Sequence, residues 1–203
     1  MMGNTHVATG IATATLIVQP HDVPTLCATI IGGAVGGIIC DIEVRSSPEC
    51  RDALYARLIT GAIVIVCLIV DWLNGSVLIH SILNITNLDL IIGLGFILFS
   101  MIKGRFSQHR TFTHSITFLL LMSIGITTIS IEIAVPFIIG FVSHILLDLM
   151  NKMPVKIFYP FSKKGYCLYW CYASKTANKV ILYISTFACV AEIAYFGWKI
   201  IAG

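Results

Sequence analysis

The chain has 203 residues, of which 57% are hydrophobic and 11% charged, with a formal net charge of +3. A soluble domain carries about 25% charged residues, so the composition excludes a water-soluble globule. No basic stripe with interleaved aromatics is present, which excludes a nucleic-acid footprint. What remains is one integral membrane domain over residues 1–203, expected to be all-α, a polytopic transmembrane helix bundle.

Apolar segments fall at about 6–18, 25–40, 57–72, 88–102, 114–131, 134–150 and 180–201. The first two are short and are expected either to span or to re-enter, giving five to seven membrane segments. Between them, Pro20, Asp22 and Pro24 mark a turn. The second segment holds Gly32, Gly33, Gly36 and Gly37, two overlapping small-xxx-small steps that allow close helix approach in lipid. No Walker-type Lys follows them, so helix packing is preferred over a phosphate loop. Residues 73–87 read as a loop without Lys or Arg, and 151–179 as the longest polar segment, with Pro154, Pro160 and many aromatics. Phe158, Tyr159, Phe161, Tyr166, Tyr169, Trp170 and Tyr172 are expected to form an interfacial belt or the wall of a lipid groove.

The seven cysteines (27, 40, 50, 67, 167, 171 and 189) include no CxxC pair and read as small apolar or reduced thiols; only Cys167 and Cys171 share helical spacing. The N-terminus lacks the basic region of a signal peptide, and the second Met displaces Gly3 from a myristoylation position.

Twelve of the thirteen Lys and Arg residues lie in 42–57, 103–113 and 151–179. Under the positive-inside rule all three stretches are cytoplasmic. That topology brings His6, Asp41, Glu43, His109, His114, His144 and Asp148 to one membrane face, with His21 and His80 on the other. Ionisable groups at membrane depth are functional-site hypotheses by default. Imidazole and carboxylate are ligands for Zn²⁺, with Mn²⁺ or Fe²⁺ as alternatives. His144 and Asp148, four apart, share a helix face; they bind one ion together, or Asp148 orients His144. Asp41 and Glu43 reach one site together if the chain there is extended. Thr113 is a suitable N-cap for the helix that starts near His114. The expected metal ligands are His6, Asp41, His114, His144 and Asp148, for one or two ions; Glu43 and His109 move protons, and Arg110 stabilises a phosphate charge.

Thr5-His6, the glycine run ending in Asp41-Ile42-Glu43, the HRxxTHS run from His109 to Ser115, the SHxxxD run from Ser143 to Asp148 and Tyr159-Pro160-Phe161-Ser162 resemble the YdjM-like family over residues 5–165. The resemblance implies an inner-membrane-associated metal-dependent hydrolase, in some members under LexA control, and kinship with zinc-dependent phospholipase C-type enzymes. The chain departs from the family in one place. Members carry a Glu before the last helix, whereas here no acid occurs between residues 149 and 191, so any role of that Glu is missing.

The functional expectation is therefore a multi-pass inner-membrane hydrolase whose site faces the cytoplasm, with membrane lipids as partners and a lipid phosphoester as substrate. A divalent-metal transporter or sensor is the second reading. It places ligands near the bilayer midplane, whereas these lie at helix ends. A non-catalytic scaffold locked by the polar cluster is the third. The sequence does not specify the oligomeric state.

Overall fold

A computed structural model describes residues 2–43, 48–170 and 176–202. Cys171 and Tyr172, singled out above, lie outside the described residues, as do Arg45 of the basic stretch 42–57 and the side chain of Cys50. In chain order the helices are α1 (Gly3–Val18), α2 (Val23–Ile38), α3 (Pro48–Leu73), α4 (Val77–Leu83), α5 (Asn87–Arg105), α6 (Ile116–Ile129), α7 (Ile131–Leu149) and α8 (Thr176–Ala202). Two 3₁₀ turns, Ile39–Glu43 and Phe112–His114, continue α2 and precede α6. Among the described residues the only β pairing is the isolated bridge between Val155 and Tyr166. The expected all-α membrane fold is what the chain adopts.

Local chemistry explains the helix starts. Asp22 accepts from the Thr25 amide at 2.8 Å, with Pro24 in the first turn of α2. Thr86, Ser115 and Ser130 accept from the amides of Asp89, Phe118 and Ile133 and so cap α5, α6 and α7. Two expectations are corrected here. The cap of α6 is Ser115 rather than Thr113, because 112–114 form a separate 3₁₀ turn that frees the Thr113 hydroxyl for other work. The stretch 73–87 is not all loop: it contains α4, whose first amides, on Leu78 and Ile79, donate to the buried carboxylate of Asp71 at 3.1 and 3.0 Å. That cap comes from the preceding helix, so no local capping motif announces it.

α2 is the centre of the bundle, and its two glycine steps explain why. A Cβ at Gly32 or Gly36 would meet the backbone of α7, at 2.6 Å from the Ile133 oxygen and 2.2 Å from the Phe137 oxygen. A Cβ at Gly33 or Gly37 would meet the backbone of α1, at 2.7 Å from the Gly10 oxygen and 2.5 Å from the His6 oxygen. One step thus faces α7 and the other faces α1, and both neighbours come to backbone contact. Within its apolar stretch α2 is 61% buried, against 11% for α8, which lies at the periphery with Tyr183, Phe187 and Trp198 exposed.

Among the described residues five helical stretches are long and apolar enough to cross a membrane: Val23–Glu43, Arg51–Leu73, Asn87–Arg105, Ile131–Leu149 and Thr176–Ala202. The second segment is longer than expected, because the 3₁₀ turn carries it on to Glu43 as a stretch of 21 residues. α1, with 16 residues, and α6, with 14, remain shorter.

Candidate metal centre

Four separate parts of the chain meet at one end of α2. His6 comes from the first turn of α1, Asp41 and Glu43 from the 3₁₀ turn after α2, His109 to His114 from the segment before α6, and His144 and Asp148 from the last turns of α7. The 3₁₀ turn is held from two sides. Arg57 of α3 donates to the Asp41 carbonyl and Arg105 of α5 to the Ile42 carbonyl, each at 3.0 Å. Cations here satisfy carbonyls that the end of a helix leaves unpaired. The start of α1 is fixed by Asn178 of α8, whose side-chain oxygen accepts from the Met2 amide and the Thr5 hydroxyl at 3.0 Å each.

All eight residues named from the sequence join one contact network. The rings of His6 and His144 stack at 3.8 Å. His6 Nε2 lies 3.4 Å from Asp148 Oδ1, and His114 Nε2 lies 3.4 Å from Asp148 Oδ2. Asp41 Oδ1 is 4.0 Å from Nε2 of both His114 and His144. Glu43 Oε1 approaches His114 from the other side, 3.5 Å from Nδ1. Asp41 and Glu43 therefore bracket one imidazole without an extended chain, which corrects the expectation for that pair. His21 and His80 stay out of the network, His21 beside Asp22 and His80 on exposed α4.

The hydrogen bonds assign the ring protons of two histidines. His144 Nδ1 lies 2.7 Å from the Gly37 carbonyl, which only accepts, so Nδ1 carries the proton. Gly37, rather than Asp148, orients His144. The Thr113 hydroxyl donates its single proton to Glu43 Oε2 at 2.5 Å; toward His114 Nδ1, at 3.0 Å, it accepts. In the neutral rings each Nε2 then presents a lone pair, and these two atoms face each other at 3.3 Å. A cation held between them would relieve that opposition. Two Zn–N bonds of about 2.0–2.1 Å at a tetrahedral angle put the nitrogens about 3.3 Å apart. His6 Nδ1 adds a buried ring nitrogen without a hydrogen-bond partner among the described residues.

Charge is in keeping with a cation at the same place. The carboxylates of Asp41, Glu43 and Asp148 have side-chain exposures of 13%, 0% and 3%. Arg110 is the cation buried among them. Buried charges are paired or coordinate metals. Two overlapping groups of close donor atoms result, His6–His144–Asp148 and Asp41–His114–His144, and no cysteine joins either among the described residues.

Arg110 and His109 flank this cluster differently. The Arg110 guanidinium is buried, with Nη1 donating to the Met153 carbonyl at 2.7 Å and Nη2 at 3.2 Å from Asp148 Oδ2. Its terminal nitrogens, expected to meet a phosphate, are committed to the protein; Nε is buried and without an acceptor among the described residues. Its backbone amide donates to Glu43 Oε1 at 2.6 Å, with φ at +59°. His109 is part-exposed, its Nδ1 2.9 Å from Glu43 Oε1 and its ring edge-on to His114. The hydrogen bond to Glu43 raises the His109 pKa, outweighing the desolvation that lowers it.

A family model described as YdjM inner membrane protein matches residues 1–202. The chain belongs to the YdjM inner membrane protein family. No curated protein and no solved structure gives a significant match. The family match bears out the resemblance carried by the HRxxTHS and SHxxxD runs and extends it through α8. It names an inner-membrane protein, in keeping with the five span-length helices.

Several residues of this YdjM-family site escape the sequence reading. Thr113 and Gly37 set the ring tautomers, and Ser107 donates to Glu43 Oε2 at 2.9 Å. Thr113 sits inside the HRxxTHS run, so its position was visible and its partner was not. Gly37 acts through its carbonyl, which leaves no trace in side-chain chemistry.

Proposed function

We propose that this chain is a metal-dependent hydrolase acting on a phosphoester at the cytoplasmic face of the membrane, with a lipid as the substrate. The observation that carries the reading is the pair of Nε2 atoms of His114 and His144, 3.3 Å apart with both Nδ1 positions occupied from behind. His6, Asp41, His114, His144 and Asp148 hold the ion. One ion fits better than two: both donor groups contain His144, whose only free nitrogen is Nε2. The donor set, imidazole and carboxylate without thiolate, suits Zn²⁺, with Mn²⁺ or Fe²⁺ as the alternatives that metal analysis separates. A divalent ion bound there supplies Lewis acidity toward a phosphoryl oxygen and an activated water.

The remaining roles belong to the chain. Glu43 lies between His109 and the His114–Thr113 pair and is placed to pass a proton between them. His109, part-exposed and with a raised pKa, is the member of that pair that exchanges protons with solvent or substrate. Arg110 is a positioning residue, holding Asp148 through Nη2.

The test is metal analysis of the purified protein beside His144→Ala and Asp41→Ala, with phosphoester turnover measured on the same samples. The wild type is expected to retain about one ion per chain; each variant should lose it, with turnover falling at least ~100-fold. Stoichiometric metal in both variants, or turnover by metal-free wild type, would sink the proposal.

A further inference from the structure

Beside the candidate metal centre lies a pocket of about 420 Å³ whose lining includes Lys156, Lys163, Gln108, Ser107, Thr111 and Tyr159. Its lining contains two lysines and no acid. Neither lysine forms an ion pair with a carboxylate among the described residues, and the polar segment that carries both has no acid of its own between residues 149 and 191. The Gln108 side-chain amide and the two ammonium groups are the donors an anionic oxygen cluster needs, the hydroxyl protons of Ser107 and Thr111 being already given to Glu43 and to the Gln108 carbonyl.

Two further observations narrow the ligand. Phe106, also in the lining, directly follows the span-length helix α5 and is 76% exposed. The pocket therefore opens where a membrane helix ends, with a large apolar side chain at its rim, the depth at which a lipid headgroup meets its acyl chains. Ser107, which lines the pocket, donates to Glu43 Oε2, and the same oxygen accepts from Thr113, which holds His114. One carboxylate thus separates the pocket from a metal-ligating histidine. Lys156 is tied to the same wall, its backbone amide donating to the Arg110 carbonyl at 3.1 Å.

We propose that this pocket binds the phosphate group of a membrane amphiphile, with Lys156 and Lys163 as the residues that select for negative charge. Binding itself is independent of the hydrolase reading; only the identification of the bound lipid as substrate rests on it. The pocket supplies the cations that the buried Arg110, committed to Asp148 and Met153, does not offer.

The experiment is native mass spectrometry of the intact chain in detergent, with phosphatidic acid, phosphatidylglycerol or phosphatidylcholine added, with and without inorganic phosphate as competitor. One anionic lipid per chain should be retained in preference to phosphatidylcholine. The Lys156→Gln, Lys163→Gln double variant should bind it roughly thirty-fold more weakly, taking about 1 kcal/mol for each lysine, and the Lys→Arg pair should restore it. Circular dichroism of each variant checks that it remains folded. Displacement by inorganic phosphate would support the same site with a soluble phosphate as its source; anionic-lipid retention that resists phosphate would support the lipid source. Undiminished anionic-lipid binding in the glutamine variant, or equal retention of phosphatidylcholine, overturns the proposal. Lysine-dependent lipid binding without any phosphoester turnover would sink the hydrolase reading and leave the pocket standing.

Discussion

Thr113 decides which nitrogen of His114 is free. Its hydroxyl gives one proton to Glu43 and receives the ring proton of His114, so a single side chain joins a carboxylate to an imidazole. Thr113→Val keeps the shape and removes both bonds, leaving the buried Nδ1–H of His114 without its acceptor while Glu43 Oε2 keeps the donor Ser107. We expect a loss of about 1–3 kcal/mol in stability and of about 10–100-fold in metal affinity, with Thr113→Ser retaining most of both. Thermal unfolding and metal titration check this; a valine variant that binds metal like the wild type would refute the tautomer assignment. At this scale the sequence was informative about which residue types gather, because histidine and aspartate are rare and costly in apolar segments. It was silent on what each nitrogen does, since the partners of His144 and Thr113 lie 107 and 70 residues away in the chain.

At the scale of elements, α2 sets the distances within the site. Gly37 touches the backbone of His6 and also accepts from His144, so the closeness of α1, α2 and α7 and the stacking of the two histidines share one cause. A methyl group at Gly37 would stand 2.5 Å from the His6 carbonyl oxygen, a backbone atom that moves only if α1 moves. Gly37→Ala is expected to cost about 1–3 kcal/mol by overpacking and to lower metal content. Gly95→Ala in α5, with nothing within 4 Å of the new methyl, should be neutral or stabilising by up to about 1 kcal/mol. Equal stability of the two variants would contradict the role given to the glycine steps. The small-xxx-small spacing was legible in the sequence, but the assignment of one step to α1 and the other to α7 was not, because spacing along one helix does not name the partner. The cap of α4 was hidden for a related reason: Asp71 belongs to the helix before it.

For the whole molecule, the decisive quantity is the side of the membrane on which the centre lies. Lys and Arg concentrate in the segments that carry or adjoin the site, and the positive-inside rule is the ground for proposing that these segments lie in the cytoplasm. A variant retaining Cys167 as its sole cysteine should therefore resist an impermeant thiol reagent in intact cells and react once the membrane is opened. Labelling from outside would reverse the orientation and move the site to the other face. The overall architecture follows from long apolar stretches separated by polar ones, a property of local composition that any bilayer reads in the same way. The sequence by itself therefore determined an all-helical membrane protein, the approximate positions of its segments and the four stretches that carry ionisable residues. Only the tertiary structure decided that Asp41 and Glu43 take opposite sides of one imidazole, that Arg110 is spent on Asp148, and that a basic pocket opens beside Glu43. Those facts depend on hydrogen bonds and close approaches between residues far apart in the chain, whose distances are fixed by helix packing and are not encoded in any one segment.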